Sequence, residues 1–154
     1  MDAEVYPSAG VQQLLRERFV TVRAHVRDNK EEFQRLGERY SAQWTPTILI
    51  LDAGGQERHR IEGFLPTQDF TAQLQLGAAK AAFARGGFAD AERLYRDIVQ
   101  QHPQSDAAPE ALYWAGVSKY KAGGDAAALG DTARAFGERY TDTPWAKKSS
   151  IWRA

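Results

Sequence analysis

Residues 42–55 read AQWTPTILILDAGG. The run from Thr47 to Leu51 is apolar and β-branched, which predicts a strand covered on both faces. Pro46 stands at its mouth, and the glycine-rich DAGG behind it predicts a turn. A proline cannot donate to a sheet ladder, so at the start of a strand it marks where pairing begins. Beyond the turn, ERHRIEGF at 57–64 is shorter and more polar, a strand suited to a sheet edge. Working back from Pro46, NKEEFQRLGERY at 29–40 sets Phe33, Leu36 and Tyr40 at helical spacing behind acidic residues that favour a helix start. Before it, FVTVRAHV at 19–26 alternates Phe19 or Val20, Val22, Ala24 and Val26 with polar residues and predicts another strand. VQQLLRERF at 11–19, with Ser8 able to cap it, predicts a helix. The expected order over residues 1–66 is helix, strand, helix, strand, strand: an α/β layer.

The chain has 154 residues, 43% of them apolar and 26% charged, the profile of a folded soluble protein of one domain or two small ones. Twenty basic side chains balance twenty acidic ones, so no global field draws nucleic acid or an anionic membrane, and no nucleic-acid-binding motif is present. The longest apolar run, Ile48 to Leu51, is far short of the roughly 20 residues a membrane span needs. The first residues, Met-Asp-Ala-Glu, lack the basic and apolar segments of a secretion signal, and the expected compartment is the cytoplasm. There is no cysteine, which excludes disulfides, thiolate nucleophiles and cysteine metal sites from these residues. His25, His59 and His102 share no metal-ligand spacing with acidic neighbours, so neither metal nor cofactor is expected. DAGGQ is too short for a phosphate loop and precedes a strand.

From Thr67 the grammar changes to helices: one from 68 to 85, then 88–101, 107–122, 125–140 and from 144 onward. This half repeats itself. FARGGFADA at 83–91 answers YKAGGDAAA at 120–128, offset by 37, and HPQSDAAPEALYW at 102–114 answers YTDTPWAKKSSIW at 140–152, offset by 38. Each unit is a helix pair with small residues such as Ala79, Ala91 and Gly116 where helices touch, and a proline, Pro103 or Pro144, near the closing turn. This half resembles the tetratricopeptide repeat. Ala91, Tyr95 and Pro103 fit the consensus, whereas Thr132 and Tyr140 depart from it. The resemblance implies an all-α repeat domain over 77–154, with the segment holding Trp145, Ile151 and Trp152 as a cap. A peptide or protein partner is then expected, with Tyr95, Tyr113, Trp114 and Tyr120 as candidate contacts; large residues at helical spacing also serve to pack repeats together. Oligomeric state is left open.

The line ERYSAQWTPTILILDAGGQERHRIEGFLPTQDFTAQL follows helix, short loop, proline-led strand, turn, edge strand, glycine and final helix. In that order it is similar to the thioredoxin family, and residues 1–76 are identified as a thioredoxin-like domain. The resemblance implies that Pro46 is the family's cis-proline, that Thr45 pairs its backbone with an extended substrate, and that Gly63 lets the substrate approach. A trans proline that starts a strand and a glycine that ends one is the plainer alternative. The family's Cys-x-x-Cys is missing. Met1 stands where relatives of this subtype have a methionine soon after the second cysteine, so the resemblance implies that the motif lies upstream of Met1. It also implies a missing strand between FVTVRAHV and TPTILIL, leaving these to pair with each other, to accept another chain, or to belong to a longer protein. The expected function is thiol-disulfide oxidoreductase by family, non-catalytic in these 154 residues because they hold no thiol; the alternative is a protein-binding module built on the repeats.

Overall fold

The computed structural model describes residues 1–153 and divides into two compact units, residues 1–67 and the residues from Gln68 on. The division falls ahead of the boundary expected after residue 76, because the whole long helix that follows Thr67 goes with the other helices.

Unit 1 contains helix α1 (Ala9–Arg18), helix α2 (Lys30–Tyr40) and an antiparallel hairpin of β1 (Thr47–Leu51) and β2 (Glu57–Glu62). The register pairs Thr47 with Glu62, Ile48 with Ile61, Leu49 with Arg60 and Ile50 with His59, and then slips by a bulge before Leu51 meets Glu57. The turn is built around Asp52. Its Oδ1 accepts the amides of Gly54 (2.9 Å) and Gln56 (3.0 Å), and Gly55 takes the left-handed conformation (φ +76°) that a side chain disfavours. The C-terminal end of α2 is tied to the hairpin. Tyr40 donates its hydroxyl to the Gly55 carbonyl at 3.0 Å, and the Arg60 guanidinium donates to the carbonyls of Tyr40 and Ser41.

Two expectations are corrected here. Residues 19–25 form no strand, and the sheet has two strands among the described residues. Val20 is 98% and Val22 81% exposed, with Val26 also on the surface. An alternating pattern specifies a face, but a strand exists only when a neighbour takes its hydrogen bonds, and none is there. For the same reason β1 is not covered on both faces: Ile50 alone is buried, and Leu51 is exposed. Phe33, Leu36 and Tyr40 of α2 are half-buried, and no residue of that helix is fully buried.

Unit 2 is helical: α3 (Thr67–Ala84), α4 (Phe88–Gln101), α5 (Ala107–Gly123), α6 (Ala127–Glu138) and α7 (Pro144–Ser149), followed by a 3-10 turn at Ser150–Trp152. The boundaries lie close to those expected from sequence. The core joins Leu76 and Ala79 of α3, Ala91, Tyr95 and Ile98 of α4, Ala111 and Ala115 of α5, and Phe136 of α6. Its many alanines let helix axes approach closely. Among the glycines of the described residues the least room is at Gly116, where an added Cβ would lie 1.9 Å from Thr132 Oγ1. α7 starts with Pro144 in its first turn and Thr143 as its cap, whose Oγ1 accepts the Ala146 amide at 3.2 Å. Two polar ties brace α3: Lys80 pairs with Glu110 of α5 at 2.7 Å, and Gln75 donates to Gln101 of α4 at 3.2 Å.

Candidate peptide-binding site

Thr45, Pro46 and Gly63 come together at the open end of the hairpin. The Gly63 amide donates to the Pro46 carbonyl at 2.8 Å, one step beyond the Thr47–Glu62 pair, so the ladder closes on the proline's acceptor and asks nothing of its missing N–H. The Thr45–Pro46 peptide is cis. Thr47 donates its hydroxyl back to the Trp44 carbonyl at 2.7 Å, which fixes the loop leading into β1.

Thr45 is exposed, and among the described residues nothing bonds its N–H or C=O. A free peptide group beside a strand start is what an extended chain can pair with. Gly63 has φ +82°, which a side chain would strain, and a Cβ built there meets no atom within 4 Å. The glycine is therefore required by its backbone conformation, and the space in front of it is open.

Trp44 and Phe64, which the sequence reading did not single out, flank this point. Trp44 is 69% exposed beside Thr45, and Phe64, next to Gly63, is also largely exposed. Two large exposed aromatics thus border Thr45 and Gly63 in sequence. The available signal was their position, directly before Thr45–Pro46 and directly after Gly63. On the same unit an open groove of about 500 Å3, lined by Val26, Phe33, Gly37, Ala42 and Gln43, ends next to Trp44 in sequence.

The site contains no thiol. The chain has no cysteine, and no titratable group lies among Thr45, Pro46 and Gly63. Among the described residues no group of three or more His, Asp and Glu side chains stands close enough to hold a metal ion, and no helix is long and apolar enough to cross a membrane.

The four aromatic candidates of the helical half separate. Tyr95 is 1% exposed and belongs to the core, so it is corrected from a partner contact to a packing residue; burial, and after it the Glu110 charge, pushes its phenol pKa up. Tyr113 and Trp114 are half-buried, packed against the core and 5.5 Å apart between ring centroids, while Tyr120 is exposed farther along the same helix.

A family described as a thioredoxin-like domain matches residues 1–78, just over half of the 154 residues. No curated protein and no solved structure matches the chain. The family match spans the hairpin, the Thr45–Pro46 loop, Gly63 and the first turns of α3, the residues on which the geometry above rests, and the chain belongs to the thioredoxin-like domain family.

Proposed function

We propose that this chain is a non-catalytic thioredoxin-like binding module that captures an extended peptide at Thr45, Pro46 and Gly63. The observation that carries the reading is the conjunction of a free, exposed Thr45 peptide group and an open approach at Gly63 with the absence of any thiol. Thiol-disulfide exchange needs a thiolate that attacks sulfur and a second thiol that resolves the mixed disulfide, and these residues supply neither. Capture needs only main-chain hydrogen bonds and apolar contact, for which Thr45, Trp44 and Phe64 are placed.

The test uses Trp44 as reporter. Titration of the chain with reduced, alkylated insulin B chain is expected to shift Trp44 emission, and the Trp44→Phe variant to lose the signal. Gly63→Asn, which tolerates the left-handed backbone but projects a side chain into the approach, is expected to weaken binding at least tenfold with the far-UV spectrum unchanged. Insulin reduction by the unmodified chain should show no turnover. Turnover, or a silent Trp44 at millimolar peptide, sinks the reading.

A second reading concerns the helical half: a tetratricopeptide-like pair of repeats that presents a protein-binding surface. It is favoured by the correspondence of α3 and α4 with α5 and α6, by left-handed glycines at equivalent turns (Gly86, φ +82°, and Gly124, φ +73°), and by a hydrogen bond from the Tyr140 hydroxyl to the Pro103 carbonyl at 2.7 Å between equivalent segments.

A further inference from the structure

Unit 1 holds two pieces of extended backbone without hydrogen-bond partners. The first is the outer edge of β1. Its ladder is bounded by a bond from the Gly63 amide to the Pro46 carbonyl and by one from the Asp52 amide to the Gln56 carbonyl at 3.0 Å, so Pro46, Ile48, Ile50 and Asp52 turn their main-chain groups toward β2. Bonding direction alternates along a strand, and Thr47 and Leu49 therefore aim their N–H and C=O groups away from β2. Among the described residues no backbone group meets them there. The second piece is Val20 to Ala24, whose amides and carbonyls bond no backbone group among the described residues. Val20 and Val22 stand almost fully in water.

The two pieces match. Side chains alternate along a strand, so Ile48 and Ile50 share one face of β1, while Val20, Val22 and Ala24 would share one face of the segment. Laid on the β1 edge, the segment can set its valines on the face where Ile50 is buried. Charge agrees with this. Thr47 to Leu51 carries none, and between Val20 and Ala24 the one charge is Arg23, held by Asp2 through two hydrogen bonds of 3.0 Å. β2 instead carries Glu57, Arg58, Arg60 and Glu62, the kind of charged edge that discourages a further strand. Within one chain the β1 edge and the segment stay unpaired, so every copy holds both a free edge and a free strand. A foreign peptide on β1 would leave Val20 and Val22 in water. A second copy covers both, since an exchange about a two-fold axis pairs the edge and the segment of each chain at once.

We propose that two copies of this chain associate by exchanging residues 20–24, each laid as a third strand on the Thr47–Leu51 edge of the other. Thr45 and Gly63 take no part, so the pairing is independent of the peptide reading of the hairpin site. In dilute solution the chains separate and the segment stands free. The test is sedimentation equilibrium and amide hydrogen exchange of the full chain from micromolar to millimolar concentration. The mass is expected to rise from one chain to two. With it, protection of the Thr47 and Leu49 amides and of those at 20–24 should rise at least tenfold, whereas Ile48 and Ile50 are protected throughout. Val20→Glu with Val22→Glu, at positions the single chain leaves exposed, should weaken association at least tenfold. Leu49→Pro removes one outward N–H and should do the same. Mixed together, these two variants supply one intact edge and one intact segment, and a heterodimer should form at concentrations where neither associates alone. A single-chain mass at millimolar concentration overturns the proposal. Association that survives the valine changes also overturns it, because two β1 edges would then be pairing directly, as does concentration-dependent protection confined to the helices. Should Leu49→Pro lose the Ile48 and Ile50 protection, it has opened the hairpin itself, and the valine variant with the exchange pattern decides.

Discussion

Asp52 shows how much of the hairpin depends on one carboxylate. Its Oδ1 accepts two turn amides, its Oδ2 accepts Arg58 Nε at 2.8 Å, and the Arg58 guanidinium also pairs with it at 2.6 Å. The Gln56 amide first, and then Arg58, hold its carboxyl below the usual carboxylate range. A folded-state value lower than the unfolded one means that the stabilisation is present above the ordinary value of about 3.9 and is lost as pH falls through the depressed one. Glu57, lowered chiefly by its hydrogen bond from Arg60, loses stabilisation in the same direction. Acid titration followed by amide signals of Gly54 and Gln56 is therefore expected to show the turn loosening only below about pH 4. Asp52→Asn keeps one oxygen to accept the two turn amides, loses the ion pair, and should flatten the acid response of the turn without abolishing that of the unit. An unchanged acid profile in Asp52→Asn would remove Asp52 from this role. The sequence marked DAGG as a turn, but only the fold brings Arg58 back across it.

Between elements, Gly116 of α5 lies directly against Thr132 of α6. A Cβ at Gly116 would stand 1.9 Å from Thr132 Oγ1, 2.8 Å from its Cβ and 2.9 Å from its Cγ2, and Thr132 is held in place by donating its hydroxyl to the Ala128 carbonyl at 2.8 Å. Gly116→Ala must drive the two helices apart, at about 1–3 kcal/mol, typical of overpacking. For a unit of this size that corresponds to a fall in Tm of roughly 5–15 °C. Thr132→Ala removes two of the three clashing atoms, so the double variant should be more stable than the sum of the single changes, a coupling readable from urea denaturation. Strict additivity would show that the helices do not depend on this contact. Gly116 was legible as a contact residue because helical spacing is local: it sets which face of α5 meets a neighbour, and the predicted helix boundaries held for the same reason. Residues 19–26 had an equally clear strand pattern and formed no strand, since their partner cannot be read from their own sequence. The site divides along the same line. The order of elements singled out Thr45, Pro46 and Gly63, which the structure brings together at the open end of the hairpin, whereas the exposure of Trp44 and Phe64 depends on contacts that no local pattern encodes.

On the scale of the molecule, the two units are unequally built. In unit 1 the buried apolar side chains are Val5, Val11, Ile50 and Ile61, while Val20, Val22, Val26, Trp44, Leu51 and Phe64 are exposed. Unit 2 buries a continuous set running from Phe70 to Ala146, and its exposed large apolar residues are Tyr120 and Ile151. Apolar burial contributes on the order of 25 cal/mol per Å2, so unit 1 has far less to set against the entropy of ordering its chain. Local opening should follow that inequality, with unit 1 sampling open forms at low free-energy cost and unit 2 opening only near its global limit. Limited trypsinolysis is therefore expected to cut first after Arg23, Arg27 and Lys30, all exposed and in or beside the unpaired segment. A fragment holding α3 to α7 should persist at least tenfold longer than the intact chain. Mass spectrometry of the time course decides the matter. Early cleavage after Arg93, Arg96 or Lys119, at rates matching those at Arg23 and Arg27, would mean that the helices open as readily as the hairpin unit and that the difference in burial does not set local stability. Because thermal opening and cleavage are read on the same chain, the peptide of the hairpin site adds a second arm: if insulin B chain binds at Thr45 and Gly63, it should slow the cuts after Arg23 and Arg27 while leaving the helical fragment's lifetime unchanged.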